Sequence, residues 1–182
     1  MVARWFTLVV VLALAVVGLA GLGGELDPAS PNYDDEGFLL RPADFESWVF
    51  VGASLGLTYA DEPPSHEMFH NVYINPEAYR HFRATGEFPD KTMLAMTLYS
   101  AEEKTDFGSG QFEGELHGFE MAVKDEERFD EGWAYYGFGG MGGIDAASPR
   151  ARAQSKSSCY DCHASHAATD NVFTQYYPVL RR

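Results

Sequence analysis

Cysteine and positively charged side chains are both scarce in this sequence of 182 residues. The 2 cysteines are too few to form a disulfide framework. The 13 lysines and arginines stand against 27 aspartates and glutamates, which gives a formal net charge of −14 at pH 7. Recognition of nucleic-acid phosphates needs clustered Lys and Arg side chains. The composition therefore argues against a nucleic-acid partner and against docking on anionic lipid.

The composition is also unlike that of a disordered chain. Hydrophobic residues make up 46% of the sequence and aromatic residues 14%, which is typical of a protein with a packed core. A length of 182 residues suits one globular domain with a short extension.

The N-terminus has the pattern of an export signal. A single basic residue, Arg4, precedes an apolar run over residues 5–19. This pattern predicts a secretory signal peptide over residues 1–20. The alternative is a retained N-terminal membrane anchor through residues 5–24, a stretch just long enough to span a bilayer. In either case we expect the rest of the chain to be exported, as to a periplasm.

The remainder divides into a short polar segment and one domain. Residues 21–41 are rich in proline and aspartate and are predicted to form a polar linker. Residues 42–182 carry the alternating and periodic hydrophobic patterns of folded elements, so we expect them to form the domain.

These patterns predict an α+β fold, mainly an antiparallel β-sheet with flanking helices. One helix should begin after Asn75, its N-cap, with Pro76 at the first helical position, and end at Gly86. The chain from about residue 148 is predicted to be helical, with a break near Asp170. The predicted strands cover residues 49–57, 71–74, 92–99, 116–123 and 132–138, and a glycine-rich turn covers residues 107–114.

Because strand side chains alternate between faces, the pattern also predicts which residues lie together. The predicted one-face sets are Leu94, Met96 and Leu98 on one strand, and Leu116, Gly118, Glu120 and Ala122 on the next.

Both cysteines lie in one motif, Cys159-Tyr160-Asp161-Cys162-His163. The pattern Cys-x-x-Cys-His is the attachment signature of a c-type haem. On a helical segment, Cys159 and Cys162 share a face and can each add to a haem vinyl group, while His163 presents a ring nitrogen to the iron. A zinc site would need two more Cys or His ligands, and a thioredoxin-like motif would lie near the N-terminus of its domain. The sequence therefore predicts one covalently attached haem c, ligated through His163 and placed on a C-terminal helix.

The function of a one-haem protein depends on the sixth coordination position of its iron. A strong Met or His ligand there is typical of an electron carrier, and an open position is typical of a gas-binding protein or an enzyme. Met93 and Met96 lie on opposite faces of one predicted strand. His166 lies one helical turn past His163, so it cannot reach the opposite side of the same haem.

Several segments taken together resemble the cytochrome P-460 family, which includes the cytochromes c′-beta. The similarity extends from about Phe45 to the C-terminal segment, and its collective pattern is more specific than any single piece. The resembling segments are FESWV (45–49), VYINPEAY (72–79), TGEFPD (85–90), GFEMAVKD (118–125), Arg128-Phe129 leading to Trp133, the haem motif, and TDNVFTQYYPVL (169–180).

This resemblance implies a homodimer with a mainly antiparallel sheet and a five-coordinate haem c on His163. Members of the family oxidise hydroxylamine, or bind NO and CO at the open side of the iron. In the hydroxylamine oxidisers a lysine is cross-linked to the haem edge and a distal carboxylate helps to move protons. Glu120 falls at the position of that carboxylate, and Met96 falls where the lysine is expected. A thioether is not a nucleophile of the same kind, which argues against the usual cross-link.

Several alternatives stay open at these positions. Met96 either packs over the haem or ligates the iron through its sulfur. Glu120 is either a proton acceptor in an apolar pocket or a structural charge paired with a Lys or Arg at the edge of the dimer. The other lysines near the site, Lys91, Lys104 and Lys124, are expected to be surface charges.

Three functions follow from these alternatives. The protein is a redox enzyme for small nitrogen species, a binding protein for NO or CO, or a His/Met-ligated electron carrier. Because the chain is acidic, we expect a redox partner protein to be basic.

Overall fold

The computed structural model describes residues 29–58, 64–103, 106 and 108–181. The predicted signal peptide or anchor, within residues 1–24, lies outside these ranges. In the ranges described, no helix is long and apolar enough to cross a membrane.

The described residues form seven strands and two α-helices, joined by turns and short 3₁₀ segments. In chain order the elements are β1 (Leu39–Leu40), β2 (Val49–Leu55), β3 (Met68–Ile74), α1 (Pro76–Thr85), β4 (Met93–Glu103), β5 (Gln111–Lys124), β6 (Trp133–Gly139), β7 (Arg150–Ala151) and α2 (Tyr160–His166).

Five of the strands form one antiparallel sheet in the order β2-β3-β4-β5-β6. The strands β1 and β7 form a separate two-stranded antiparallel sheet. β5 begins at Gln111, inside the stretch predicted to be a glycine-rich turn, because β4 provides pairing partners as far as Glu103. The predicted α+β fold, with a mainly antiparallel sheet and the haem motif on a C-terminal helix, is confirmed.

The C-terminal part is less helical than predicted. Of the described residues after 148, α2 is the only α-helical stretch, and 3₁₀ turns cover Lys156–Ser158 and Thr174–Tyr176. The predicted break is present at Asp170 and Asn171, whose φ angles are 43° and 60°. A right-handed helix cannot continue through residues with positive φ.

A bulge in β5 changes the predicted arrangement of its side chains. Leu98 of β4 pairs with Gly118. The next residue of β4, Tyr99, pairs with Leu116, so β5 contains one extra residue at this point. The extra residue reverses the alternation and places Leu116 on the face opposite Glu120. The prediction that these two residues share a face is therefore wrong.

Helix α1 begins and ends where predicted, but the side chain of Asn75 does not cap its N-terminus as expected. Gly86 ends it in the left-handed conformation, with a φ of 88°. Asn75 precedes it, yet the Asn75 side chain makes no capping hydrogen bond. Its Oδ1 instead accepts a hydrogen bond from the N–H of Met93 at 2.9 Å. Its Nδ2 donates to the carbonyl oxygen of Ala29 at 3.3 Å. Asn75, which is 2% exposed, thus links the start of α1 to β4 and to the N-terminal arm.

Replacing Asn75 with alanine is expected to lower the free energy of unfolding by about 1–3 kcal/mol, because a buried N–H group loses its acceptor. Urea unfolding of the variant and the parent protein measures the difference. The matched control is Glu77→Ala, which removes a side chain ion-paired with Arg80 on the exposed side of the same helix. That loss is expected to be about 1 kcal/mol or less. Equal losses in the two variants would contradict the linking role.

The sheet carries an apolar cluster on each face. In the first cluster, Phe119 of β5 packs with Leu39 of β1 and with Trp48, the residue just before β2. The segment 29–41, expected to be a polar linker, therefore packs onto the domain. A salt bridge of 2.6 Å from Asp34 to Arg150 adds a polar contact to this packing.

The second cluster covers the opposite face of the sheet. Ile74 and Leu94 pack there with Phe82 of α1 and with Phe173 and Leu180 of the C-terminal segment. The helix and the C-terminal segment thus share this face, and the candidate site lies where the C-terminal segment meets the sheet.

Candidate haem site

A cleft with about 780 Å³ of empty volume separates the second face of the sheet from the C-terminal segment. The sheet contributes Val72, Leu94, Met96, Glu120, Ala122, Tyr135 and Gly137 to the walls, and the C-terminal segment contributes Gln154, Cys159, His163, Asn171, Val172, Phe173 and Tyr177.

Strand pairing arranges the polar part of the sheet wall. Met96 of β4 lies directly opposite Glu120 of β5. Glu120 in turn lies opposite Gly137 of β6. Paired residues of neighbouring strands point to the same face, so Met96 and Glu120 stand side by side on the wall of the cleft. Two predicted site residues are thus brought together by the register.

The two cysteines are free thiols at the start of α2, and both are half-buried. Cys159 precedes the helix and lines the cleft. Burial raises the pKa of the Cys159 thiol, and the neighbouring charges of Glu120 and Cys162 add to this effect. Cys162 lies within the helix and is not part of the cleft wall. Of the pair, Cys159 is therefore the thiol that faces the sheet.

His163 is held between aromatic rings at the centre of the C-terminal wall. Its ring centroid lies 4.3 Å from that of Tyr135 and 4.6 Å from that of Phe173. Its Nδ1 lies 2.9 Å from the carbonyl oxygen of Asn171. Burial lowers the pKa of His163, and the hydrogen bond to Asn171 acts in the opposite direction. A neutral imidazole that donates from Nδ1 has a free lone pair on Nε2, which is the arrangement of a metal-ligating histidine.

Glu120 is exposed within the cleft, and the cleft walls partly remove its carboxyl group from water. This burial raises the pKa of Glu120. No ion pair of Glu120 is found among the described residues of the single chain. A carboxyl group whose pKa is raised in this way stays protonated to a higher pH than an ordinary glutamate and can exchange a proton with a bound molecule.

The described lysines that were considered near the site form ion pairs away from the cleft. Lys91 forms a 2.5 Å ion pair with Asp125. Lys124 forms a 2.9 Å ion pair with Asp170, and neither lysine lines the cleft. Lys104 lies outside the described residues. Met96 is half-buried on the wall itself, where its thioether is placed to contact a bound group.

Sequence reasoning did not identify Tyr135, Asn171 or Phe173 as site residues. Tyr135 and Phe173 have aromatic side chains that serve equally well in a core. Asn171 acts through its backbone carbonyl, for which residue type gives no signal. The signals available were membership of a predicted strand for Tyr135 and of a family-like segment for the other two.

The described residues fit a c-type haem. The cleft has a largely apolar lining, one free thiol on its wall and a second beside it, and a histidine with Nε2 available. A zinc site gains no such support, because no group of three His, Cys, Asp or Glu side chains converges anywhere in the described part of the chain.

Comparison with known proteins agrees with this assignment. A family model described as Cytochrome P460 matches residues 42–174. The matched range covers most of the chain and includes Met96, Glu120 and the complete haem motif. The search of curated proteins finds no significant match.

Proposed function

The chain belongs to the cytochrome P460 family, and from this premise we propose that it is an exported mono-haem c cytochrome acting on small nitrogen species. Family membership makes it a haem c cytochrome. The proposal adds a single haem attached through Cys159 and Cys162, an open or weakly ligated distal side, and redox chemistry on hydroxylamine or NO.

One observation supports this function best, the presence of Glu120 in the same cleft as His163. Tyr135, whose ring contacts His163, pairs with Ala122 of β5. Ala122 lies two residues from Glu120 along the strand, a distance of about 7 Å. The wall thus offers a carboxyl group with a raised pKa close to the residue that packs on the proposed iron ligand.

The side chains have distinct roles in this proposal. The haem iron, when bound, supplies a coordination position for the substrate and a one-electron couple. His163 would hold the iron through Nε2, with its ring oriented by the carbonyl of Asn171. In hydroxylamine oxidation each electron would pass through the haem to the redox partner protein, and the carboxylate of Glu120 would accept the accompanying proton and release it to solvent before the next step. The apolar walls, including Val72 and Leu94, exclude water from the reaction.

Met96 sets this chain apart from the hydroxylamine oxidisers that it resembles. Its sulfur cannot form the bond that a lysine nitrogen makes with the haem edge. We propose that Met96 packs over the haem without a cross-link, as a flexible apolar side chain. Its place opposite Glu120 also keeps the second candidate, ligation of iron by Met96, open to experiment.

The reduced holoprotein is expected to be high-spin and to change its Soret spectrum when CO is added, because the sixth position is open. The variant Met96→Leu removes the sulfur at similar volume and should leave both spectra essentially unchanged. Met93→Leu is the matched control, since Met93 belongs to the same strand but packs in the cluster on the other face.

Other results would replace this function by one of its alternatives. A sharp low-spin spectrum that ignores CO, with a Met-to-iron charge-transfer band lost in Met96→Leu, would establish an electron carrier. CO and NO binding without turnover of hydroxylamine or NO would establish a binding protein.

Two further parts of the proposal concern assembly and partners. Exposed aromatic and aliphatic side chains on β2 and β5, namely Phe50, Leu55 and Phe112, support a homodimer. The net charge of −14 supports a basic redox partner protein. Export to the periplasm or an equivalent compartment, with the chain soluble or anchored through residues 5–24, is supported by the N-terminal pattern.

A further inference from the structure

Two residues shortly after α2, Asp170 and Asn171, have left-handed backbone conformations, with φ angles of 43° and 60°. They are the central residues of a tight turn closed by two hydrogen bonds between Thr169 and Val172, of 3.3 and 2.8 Å. This conformation is unfavourable for residues other than glycine, although Asp and Asn tolerate it best. Such a turn persists when its surroundings hold it in place.

The carboxylate of Asp170 provides that support. Its Oδ1 accepts a hydrogen bond from Nε1 of Trp133 at 3.0 Å. Its Oδ2 accepts a charged hydrogen bond from Nζ of Lys124 at 2.9 Å. Lys124 also donates to the carbonyl oxygen of Phe88 at 2.9 Å, and its side chain is 14% exposed. Lys124 and Trp133 are paired residues of β5 and β6, so Asp170 ties the turn to the sheet.

The next residue in the turn contacts the proposed iron ligand. The carbonyl oxygen of Asn171 lies 2.9 Å from Nδ1 of His163 and accepts a second hydrogen bond from the Tyr135 hydroxyl at 3.2 Å. The position of this carbonyl is determined by the backbone of the turn. A shift of the turn would therefore lengthen or bend the hydrogen bond to His163.

We propose that Asp170 is a positioning residue for the haem ligand: its tether to Lys124 and Trp133 holds the Asn171 carbonyl against Nδ1 of His163. A strong hydrogen bond at Nδ1 makes the imidazole a better electron donor to a metal on Nε2. Electron donation from the axial ligand favours the ferric state, so the tether lowers the reduction potential of the haem. This inference rests on the proposed ligation of iron by His163.

The experiment compares the holoproteins of the wild type, Asp170→Asn and Lys124→Met. Asp170→Asn keeps the size of the side chain but removes its charge, and Lys124→Met removes the other half of the ion pair. In both variants the reduction potential is expected to shift to more positive values. The iron–histidine stretching frequency of the ferrous protein, measured by resonance Raman spectroscopy, is expected to fall.

The two variants separate the tether from simple electrostatics. Loss of a negative charge raises a nearby reduction potential, and loss of a positive charge lowers it. A remote charge effect therefore predicts opposite shifts for Asp170→Asn and Lys124→Met, whereas the tether predicts shifts of the same sign. If Asp170→Asn does not fold, Lys124→Met still decides between the two, since only the tether predicts a positive shift for it.

Asp125→Asn is the matched control. Asp125 is a buried carboxylate directly after β5, and its Oδ1 accepts hydrogen bonds from Lys91 and from the N–H of Arg128, both outside the turn. It is expected to lower stability without moving the iron–histidine frequency. Opposite potential shifts with an unchanged frequency would overturn the positioning role and leave the haem assignment intact. A wild-type holoprotein without an iron–histidine band would overturn the ligation by His163 and the inference with it.

Discussion

Replacement of both Cys159 and Cys162 by serine is expected to abolish covalent haem attachment, because a serine hydroxyl does not form a thioether with a haem vinyl group. After denaturation in detergent, haem staining of the protein band should fall to background. Any haem that His163 still binds should be extracted into acidified butanone. The fold is expected to persist, since neither thiol is part of the fully buried core.

The single variants refine this test. Cys159→Ser and Cys162→Ser each keep one thiol, so each is expected to keep some haem through one thioether, with an altered pyridine haemochrome spectrum. Ser157→Ala is the matched control, because it changes an exposed side chain two residues before the motif and should stain like the wild type. Staining of the double variant at the wild-type level would show that haem is not attached through this motif.

Many of the strands and the ends of helix α1 could be predicted from residue patterns that are local in the sequence. Alternating apolar residues marked the central strands, and Asn-Pro followed ten residues later by glycine marked both ends of α1. The bulge that places Leu116 and Glu120 on opposite faces has no local sequence signal, because it depends on how β5 pairs with β4. The role of Asn75 could not be predicted for the same reason. Its side chain accepts a hydrogen bond from Met93 of β4 rather than capping its own helix.

In the candidate site, too, some residues could be recognised from the sequence and others only from the structure. Cys159, Cys162 and His163 were found because covalent attachment requires them at fixed spacing along the chain. The pairing of Met96 with Glu120 required the strand register, which alternation alone does not determine. The Asn171 carbonyl required the conformation of a turn with positive φ, and a backbone acceptor leaves no signal in residue type. The residues of the proposed haem attachment were thus recognisable from the sequence, whereas the backbone contact to His163 was not.

Charge has two separate roles in this protein. In the proposed function, the overall acidity acts on long-range association with a basic redox partner, and transfer rates are then expected to depend on ionic strength. Glu120 concerns local chemistry, because the carboxyl group is partly removed from water inside the cleft. The two roles are independent, since changing one carboxylate scarcely alters a net charge of −14.

Replacement of Glu120 by glutamine is expected to slow turnover of hydroxylamine or NO by about 10²–10⁴-fold, the usual contribution of a positioned general base. Glutamine keeps the shape of the side chain but cannot accept the proton. Burial raises the pKa of Glu120, so the ionised form becomes dominant only at a higher pH than for an exposed glutamate. The wild-type rate should therefore rise with pH through this raised pKa, and the variant should lose that rise.

Stability provides a second measurement with a definite sign. A carboxyl group whose pKa is higher in the folded than in the unfolded chain stabilises the fold below the unfolded pKa. That contribution is lost as the pH rises through the folded pKa. Glu120→Gln should therefore become more stable relative to the wild type as the pH increases over this range. Glu115→Gln, an exposed carboxylate of the same strand away from the cleft, should change neither rate nor pH dependence. Unaltered turnover in Glu120→Gln would remove Glu120 from the mechanism, whereas a stability effect alone would leave it as a carboxyl group of raised pKa without a catalytic role.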